Sequence, residues 1–169
     1  MEIMGLIYIL NQFRNKKVFI TGHTGFKGSW LTFLLDYCGA ITKGYSLEPK
    51  TNPSLYLNLT FSNKHSSIYS DISDYDKLQK EVALFKPEFI FHLAAQPLVL
   101  ESYEDPKITF NTNFNGTLNL LEVLRNTKIS CTSIFITTDK VYENKELNIP
   151  FSEDDKLGGT DPYSASKAA

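Results

Sequence analysis

The sequence predicts an α/β architecture, a doubly wound parallel sheet with helices on both faces, on the strength of three observations. Short β-rich runs alternate with longer stretches in which apolar residues recur at helical spacing. The runs Val18-Phe19-Ile20-Thr21 and Phe89-Ile90-Phe91-His92-Leu93 are almost wholly apolar, as strands covered on both faces must be. A glycine-spaced turn, Gly22-His23-Thr24-Gly25-Phe26-Lys27-Gly28, leads directly from the first of these strands into the first helical pattern.

The elements follow in order. After strand one, apolar residues at Phe26, Trp30, Phe33, Leu34 and Tyr37 mark a helix from residue 25 to about 38, closed by Gly39 where a left-handed residue is wanted. Residues 40–47 are the second strand. Residues 48–65, with Pro49, Pro53 and several Asn and Ser, form a long irregular connection. Residues 67–70 are a short third strand. Ser73 with Asp76 suggests a capping pair for a helix that runs to Phe85 and stops before Pro87. Residues 89–93 are the fourth strand. Asp105-Pro106 is an N-cap with proline in the first turn, opening a helix to about Asn126. Residues 134–136 are the fifth strand, and Pro162 opens a last helix of barely two turns. Right-handed crossovers then give the strand order 3-2-1-4-5, with a ligand crevice between strands one and four.

A chain of 169 residues can bury one core. We divide it into an N-terminal extension, residues 1–15, and a nucleotide-binding domain, residues 16–169, that is incomplete at its C-terminus. With 17 basic and 19 acidic residues interspersed, the formal charge of −2 gives no reason to expect a nucleic-acid or anionic-membrane partner. The two cysteines, Cys38 and Cys131, make neither a disulfide framework nor a paired metal motif, and no metal site is expected. The apolar run at residues 4–10 is far short of the ~20 residues a spanning helix needs and lacks signal-peptide flanks. A cytoplasmic protein is expected.

The glycine turn carries the chemistry. Gly22 permits a tight turn, Gly25 lets backbone approach a pyrophosphate, and Gly28 lets helix and strand pack closely; the phosphates would meet free N–H groups at the helix N-terminus. This predicts a Rossmann-type dinucleotide site. An acidic residue about 20 positions on would grip the adenosine ribose of NAD. The second strand instead ends Gly44-Tyr45-Ser46-Leu47, with Glu48 beyond, and there is no clear arginine pair for a 2′-phosphate; NAD is favoured over NADP. Further on, Tyr163-Ser164-Ala165-Ser166-Lys167 places a phenol and an ammonium at i and i+4 on one helix face. An ammonium beside a phenol favours phenolate, which can take a hydroxyl proton while hydride leaves the same carbon. Alone such a pair is commonplace; one strand–helix unit after residues 134–136 it acquires meaning.

The two-residue gap between the first glycines resembles the extended short-chain dehydrogenase/reductase superfamily. Within it, four segments, Gly22 through Leu31, Ala94-Ala95-Gln96-Pro97-Leu98-Val99, Thr138-Asp139-Lys140-Val141-Tyr142 and Gly158 through Tyr163, resemble the CDP-glucose 4,6-dehydratases from about Asn11 to Ala169. The resemblance implies an NAD-dependent lyase of deoxysugar and lipopolysaccharide biosynthesis that converts CDP-glucose to its 4-keto-6-deoxy form. It implies a cofactor site of Gly22, Thr24, Gly25, Phe26, Lys27, Gly28, Asp71, Ile72, Leu93, Ala94, Ala95, Gln96, Tyr163 and Lys167. Asp71 also reads as an ordinary turn or helix-leading aspartate. His92 reads as a core residue, and Asn113 of Asn113-Phe114-Asn115-Gly116-Thr117 as mainly structural. Catalytic roles fall to Thr138, hydrogen-bonding the substrate hydroxyl, to Asp139 as acid, to Lys140, Tyr163 and Lys167. Lys140 stands where related dehydratases have Glu. It would serve as base only if burial or nearby cations disfavoured its ammonium form, and otherwise as an orienting cation. Leu100 stands where the family pattern has Arg.

Relatives of this kind continue for roughly as many residues again, which would supply later strands and a nucleotide-sugar domain. The homodimer expected for the family, formed through the helix after strand four and the helix at Pro162, would then be weakened. The alternatives are a non-catalytic NAD-binding module, an inactive remnant, or another nucleotide-sugar dehydratase or epimerase.

Overall fold

The computed structural model describes residues 11–144 and 149–169, so the apolar run at residues 4–10 lies outside it. Five parallel strands form one sheet in the order β3-β2-β1-β4-β5: β1 Lys17–Thr21, β2 Ile41–Ser46, β3 His65–Tyr69, β4 Phe89–His92 and β5 Thr132–Phe135. The expected fold class and strand order are those observed. Helices α1 Phe26–Tyr37, α2 Leu55–Asn58, α3 Tyr75–Phe85, α4 Val99–Glu104, α5 Pro106–Phe110, α6 Gly116–Thr127 and α7 Pro162–Ala168 make the connections. None of the described helices is long and apolar enough to cross a membrane.

Strand alternation sends side chains to two cores. Phe19 of β1 joins Tyr45, Ile90, Leu78, Val82, Leu120 and Val123 under α3 and α6, which pack on each other. Val18 and Ile20 point the other way, to Leu35 of α1 and Ala40, with Phe89, Phe91 and Leu93 half-buried beside them. Phe13 packs edge-on against Phe89, ring centroids 4.9 Å apart, which ties residues just ahead of β1 to this second core. Because register places Thr21 opposite both Tyr45 and His92, the C-terminal ends of β2, β1 and β4 align at one edge of the sheet. Ligands of open parallel sheets bind outside that edge.

Several details differ from the sequence expectation: β5 starts at Thr132 and ends at Phe135 where residues 134–136 were expected, and the short helix α2 lies within the connection expected to be irregular. The aromatic positions of α1 do not face the sheet: Gly28, Ser29, Thr32, Leu35 and Asp36 are buried, while Phe26 and Tyr37 are exposed. Small residues let this helix approach the strands, and the hydroxyls of Ser29 and Thr32 donate back to Gly25 and Gly28 carbonyls at 2.7 Å, so their burial leaves no donor unpaired. Strand β3 begins at His65, two residues early, because His65 pairs with Thr42 across the ladder and bonds its hydroxyl at 2.8 Å, a polar pairing invisible to hydrophobic pattern. The N-cap of α3 is Asp74, which accepts from Lys77 N–H; Ser73 is in the preceding turn. The helix opened by the Asp105 cap is not continuous either. A π-helical turn, Asn111–Asn115, separates α5 from α6, and α4 precedes them. Gly39 does close α1 at φ +84°.

Candidate functional site

The glycine turn sits where β1 meets α1, at the aligned edge. Gly22 has φ +71°, and a Cβ there would lie 2.7 Å from the Ala94 nitrogen, so the turn and the loop after β4 touch backbone to backbone. A Cβ on Gly28 would fall 2.1 Å from the Gly22 carbonyl oxygen, which sets how closely helix and turn approach. Gly25 is different: a Cβ would meet only the Gly22 oxygen, at 3.4 Å, and otherwise project into open space over the helix N-terminus. That open space is the cradle a pyrophosphate requires, so these residues fit a dinucleotide. Phe26 and Lys27 are exposed beside it. Thr24 reaches from the turn to the end of β2, its hydroxyl 2.7 Å from Ser46 Oγ and 2.9 Å from the Leu47 carbonyl.

Across the crevice, Thr21 organises the loop after β4. Its hydroxyl oxygen accepts from the backbone N–H groups of Leu93 and Ala94, each at 3.1 Å, and its own proton therefore goes to His92 Nδ1 at 2.7 Å. His92 in turn carries its proton on Nε2 and donates to Thr117 Oγ1 at 3.1 Å, which donates to the Asn113 carbonyl at 2.6 Å. A directional chain of hydrogen bonds thus runs from β1 through β4 to α6. His92 is the satisfied core residue expected.

The π-helical turn swings Asn113 inward to near-complete burial. Its Oδ1 accepts from Gln96 N–H at 2.8 Å; its Nδ2 donates to the Gln96 carbonyl at 3.1 Å and to Ser166 Oγ at 2.9 Å. Ser166 donates to the Tyr163 carbonyl at 2.7 Å. One side chain therefore ties the Ala95-Gln96 loop to the helix that bears Tyr163 and Lys167. That helix is capped by Asp161, which accepts from Ser164, and Tyr163 N–H donates to Ser102 Oγ of α4 at 3.1 Å. Gly159 packs against it, since a Cβ there would meet the Ala165 nitrogen at 2.3 Å.

Lys167 is half-buried and donates to the Ile136 carbonyl, just past β5, at 2.9 Å. Burial pushes its ammonium below the usual lysine value. The 3₁₀ turn Asp139–Val141 packs on α7, with Thr138 as its cap: the Thr138 hydroxyl donates to Asp139 Oδ1 at 3.1 Å and accepts from Lys140 N–H at 3.3 Å. Asp139 and Lys140 are exposed. The Asp161 carboxyl is held below its ordinary range by hydrogen bonds from Ser164 and by the Lys140 charge, which outweigh the opposing effect of desolvation. Thr138, Asp139, Lys140, Tyr163 and Lys167 are thus gathered on one turn and the helix against it. Asp71 and Ile72 stand apart at the end of β3. Ile72 is buried against Gly116, and Asp71 Oδ1 accepts from Ser73 N–H at 2.8 Å, the turn role also expected of it. Leu100 is exposed on α4. Sequence reasoning missed Thr21, Ser46 and Ser102; for Thr21 the hydroxyl ending an apolar strand was the available signal, and Ser102 carried none.

His92 has a pH consequence. Burial, and next the Lys167 charge, lower its pKa from 6.5 to about 4. Above pH 6.5 both folded and unfolded chains hold it neutral. As pH falls the unfolded chain takes up the proton first, so the His92 contribution to stability declines from pH 6.5 to about 4 and is constant below. His92 alone accounts for about 3 kcal/mol of this decline. Denaturant titrations at about pH 7.5 and about pH 4.5 should show it, and His92→Gln should reduce the difference between them by the His92 share. His23, pushed down to about 3 by burial first and His65 second, steepens the same decline.

The model of the family described as GDP-mannose 4,6 dehydratase matches residues 19–169. CDP-glucose 4,6-dehydratase of Salmonella typhimurium is 47% identical over 157 residues, which cover 93% of this chain and 44% of that protein. CDP-paratose 2-epimerase of Salmonella typhi is 30% identical, across 90% of this chain and 50% of that protein. Among solved structures, UDP-glucose 4-epimerase from Brucella ovis in complex with NAD superposes with a TM-score of 0.74 at 26% identity, across 90% of this chain and 44% of that one. The chain spans half or less of the length of these relatives.

Proposed function

The chain belongs to the GDP-mannose 4,6 dehydratase family, and from that premise we propose that it serves as the cofactor-binding and proton-transfer part of an NAD-dependent CDP-glucose 4,6-dehydratase. The observation that carries this reading is the assembly of Thr138, Asp139 and Lys140 on a turn packed against the helix of Tyr163 and Lys167, at the sheet edge that also holds the glycine turn. CDP-glucose is favoured as substrate by the 47% identity with an enzyme of that name, against 32% with GDP-mannose 4,6-dehydratase sdnI of Sordaria araneosa, and by Lys140 in place of Glu.

In this reading Gly22, Thr24, Gly25, Phe26, Lys27 and Gly28 hold the pyrophosphate half of NAD, and Leu93, Ala94, Ala95, Gln96, Tyr163 and Lys167 the nicotinamide half, with Asp71 and Ile72 toward adenine. Held there, NAD would supply a reversible hydride acceptor for the sugar. Tyr163 removes the O4 proton, and Lys167, fixed by its bond to the Ile136 carbonyl, supplies the positive field that favours phenolate. The Thr138 hydroxyl turns from Asp139 to hydrogen-bond the substrate hydroxyl. The resulting ketone acidifies C5, whose proton passes to solvent water at this exposed turn while Asp139 protonates the departing C6 hydroxyl, so that water is lost across C5 and C6. Lys140 is exposed, so the burial a lysine base requires is lacking, and we assign it to substrate orientation. A homodimer through α7 and the π-helical turn with α6, where Phe114, Leu118 and Leu121 are near or above two-fifths exposed, belongs to the same reading.

A second reading, a cofactor-binding module without catalysis, is favoured by the exposure of Asp139 and Lys140. Incubating the protein with CDP-glucose and NAD⁺ separates the two. Formation of a 4-keto sugar supports the dehydratase; NAD⁺ binding in calorimetry without product supports the module. Failure to bind NAD⁺ overturns both.

A further inference from the structure

In this fold the residue ending the second strand, about 20 positions past the first glycine, meets the adenosine ribose, and a carboxylate there selects NAD by accepting from its 2′-hydroxyl. Ser46 occupies that place, and its surroundings define what it offers. Three oxygens form a closed triangle: Thr24 Oγ1 to Ser46 Oγ 2.7 Å, Thr24 Oγ1 to the Leu47 carbonyl 2.9 Å, and Ser46 Oγ to the same carbonyl 3.0 Å. Only two protons are available to it. Either Thr24 donates to Leu47 and Ser46 to Thr24, or Ser46 donates to Leu47 and Thr24 to Ser46. In both arrangements each hydroxyl proton is consumed inside the triangle, and lone pairs alone remain for a ligand. Ser46 is 9% exposed and Thr24 half-buried, so neither hydroxyl is free to swing away.

We propose that the Thr24–Ser46 pair is the specificity-determining element for the adenosine ribose, an uncharged stand-in for the usual carboxylate that prefers NAD over NADP only weakly. This rests on the dinucleotide site proposed above. The pair accepts a 2′-hydroxyl proton as a carboxylate would, yet brings no negative charge against a 2′-phosphate. To receive the phosphate, one hydroxyl has to turn outward and give up its bond within the triangle. The loss of one neutral hydrogen bond limits discrimination to about tenfold. Glu48, the nearest carboxylate in sequence, is exposed beyond the strand end and takes no part.

Calorimetric titration of the protein with NAD⁺ and with NADP⁺ tests this directly. NADP⁺ should bind no more than about tenfold weaker than NAD⁺. Ser46→Asp should widen the ratio to about a hundredfold or more by weakening NADP⁺, while Glu48→Gln should leave it within about twofold. A wild-type ratio of about a hundredfold, or a ratio that collapses in Glu48→Gln, overturns the assignment; both measurements hold even if Ser46→Asp fails to fold. Binding of neither nucleotide by the wild type would instead remove the dinucleotide reading itself, and this assignment with it.

Discussion

Gly22→Ala is expected to destabilise the protein by about 3 kcal/mol or more, read as a shift in the denaturant midpoint. Two costs combine. An alanine at φ +71° is strained, and its methyl would lie 2.7 to 2.9 Å from three backbone atoms of Leu93 and Ala94, none of which can rotate away. Relieving the clash means moving the loop after β4, which would break the two N–H bonds to Thr21 and with them the orientation of the His92 chain. Gly25→Ala is the control: its methyl has open space, so stability should change by less than about 1 kcal/mol while affinity for NAD⁺ falls. Equal stability of the two variants would mean that the turn and the β4 loop are not in register as described.

Tyr163→Phe is expected to lower turnover of CDP-glucose by about a hundredfold to ten-thousandfold, with NAD⁺ affinity little changed. In the proposed reading contact with the nicotinamide half of NAD is shared with Leu93, Ala94, Ala95, Gln96 and Lys167, whereas the phenol hydroxyl transfers the proton. The structural anchors of its residue are backbone groups: the N–H bonded to Ser102 and the carbonyl receiving Ser166. Phenylalanine keeps both, so α7 should stay in place, and circular dichroism should match the wild type. A kcat loss without a shift in the unfolding midpoint is the expected pattern. Undiminished turnover would remove Tyr163 from the mechanism.

Much of this was legible because the governing constraints are local or periodic. Apolar strands and a glycine turn at their junction announced the sheet and its crossovers, and Asp105-Pro106 and Pro162 announced two helix starts that are observed, the second with Asp161 as a cap that was not anticipated. What stayed hidden depended on contacts between segments distant in sequence. The buried face of α1 could not be read from Phe26, Trp30 and Tyr37, because small residues and self-bonded hydroxyls are what allow close approach to the strands. The early start of β3 rests on His65 and Thr42, 23 residues apart. The π-helical turn is sustained by Asn113 reaching both Gln96 and Ser166, 17 and 53 residues away. The site shows the same division. Glycines and the Tyr163–Lys167 spacing were visible, whereas the closure of Thr24 onto Ser46 needed the fold.

The reversed face of α1 leaves one residue unusually placed. Trp30 is the single tryptophan of the chain, 44% exposed, two residues past Gly28 and edge-on to Phe33 at 6.4 Å. Indole emission overlaps the absorption of reduced nicotinamide, so the protein carries its own optical donor beside the turn. Quenching at Trp30 as NADH is added would report occupancy with no label introduced, and the undisturbed emission would mark the empty state.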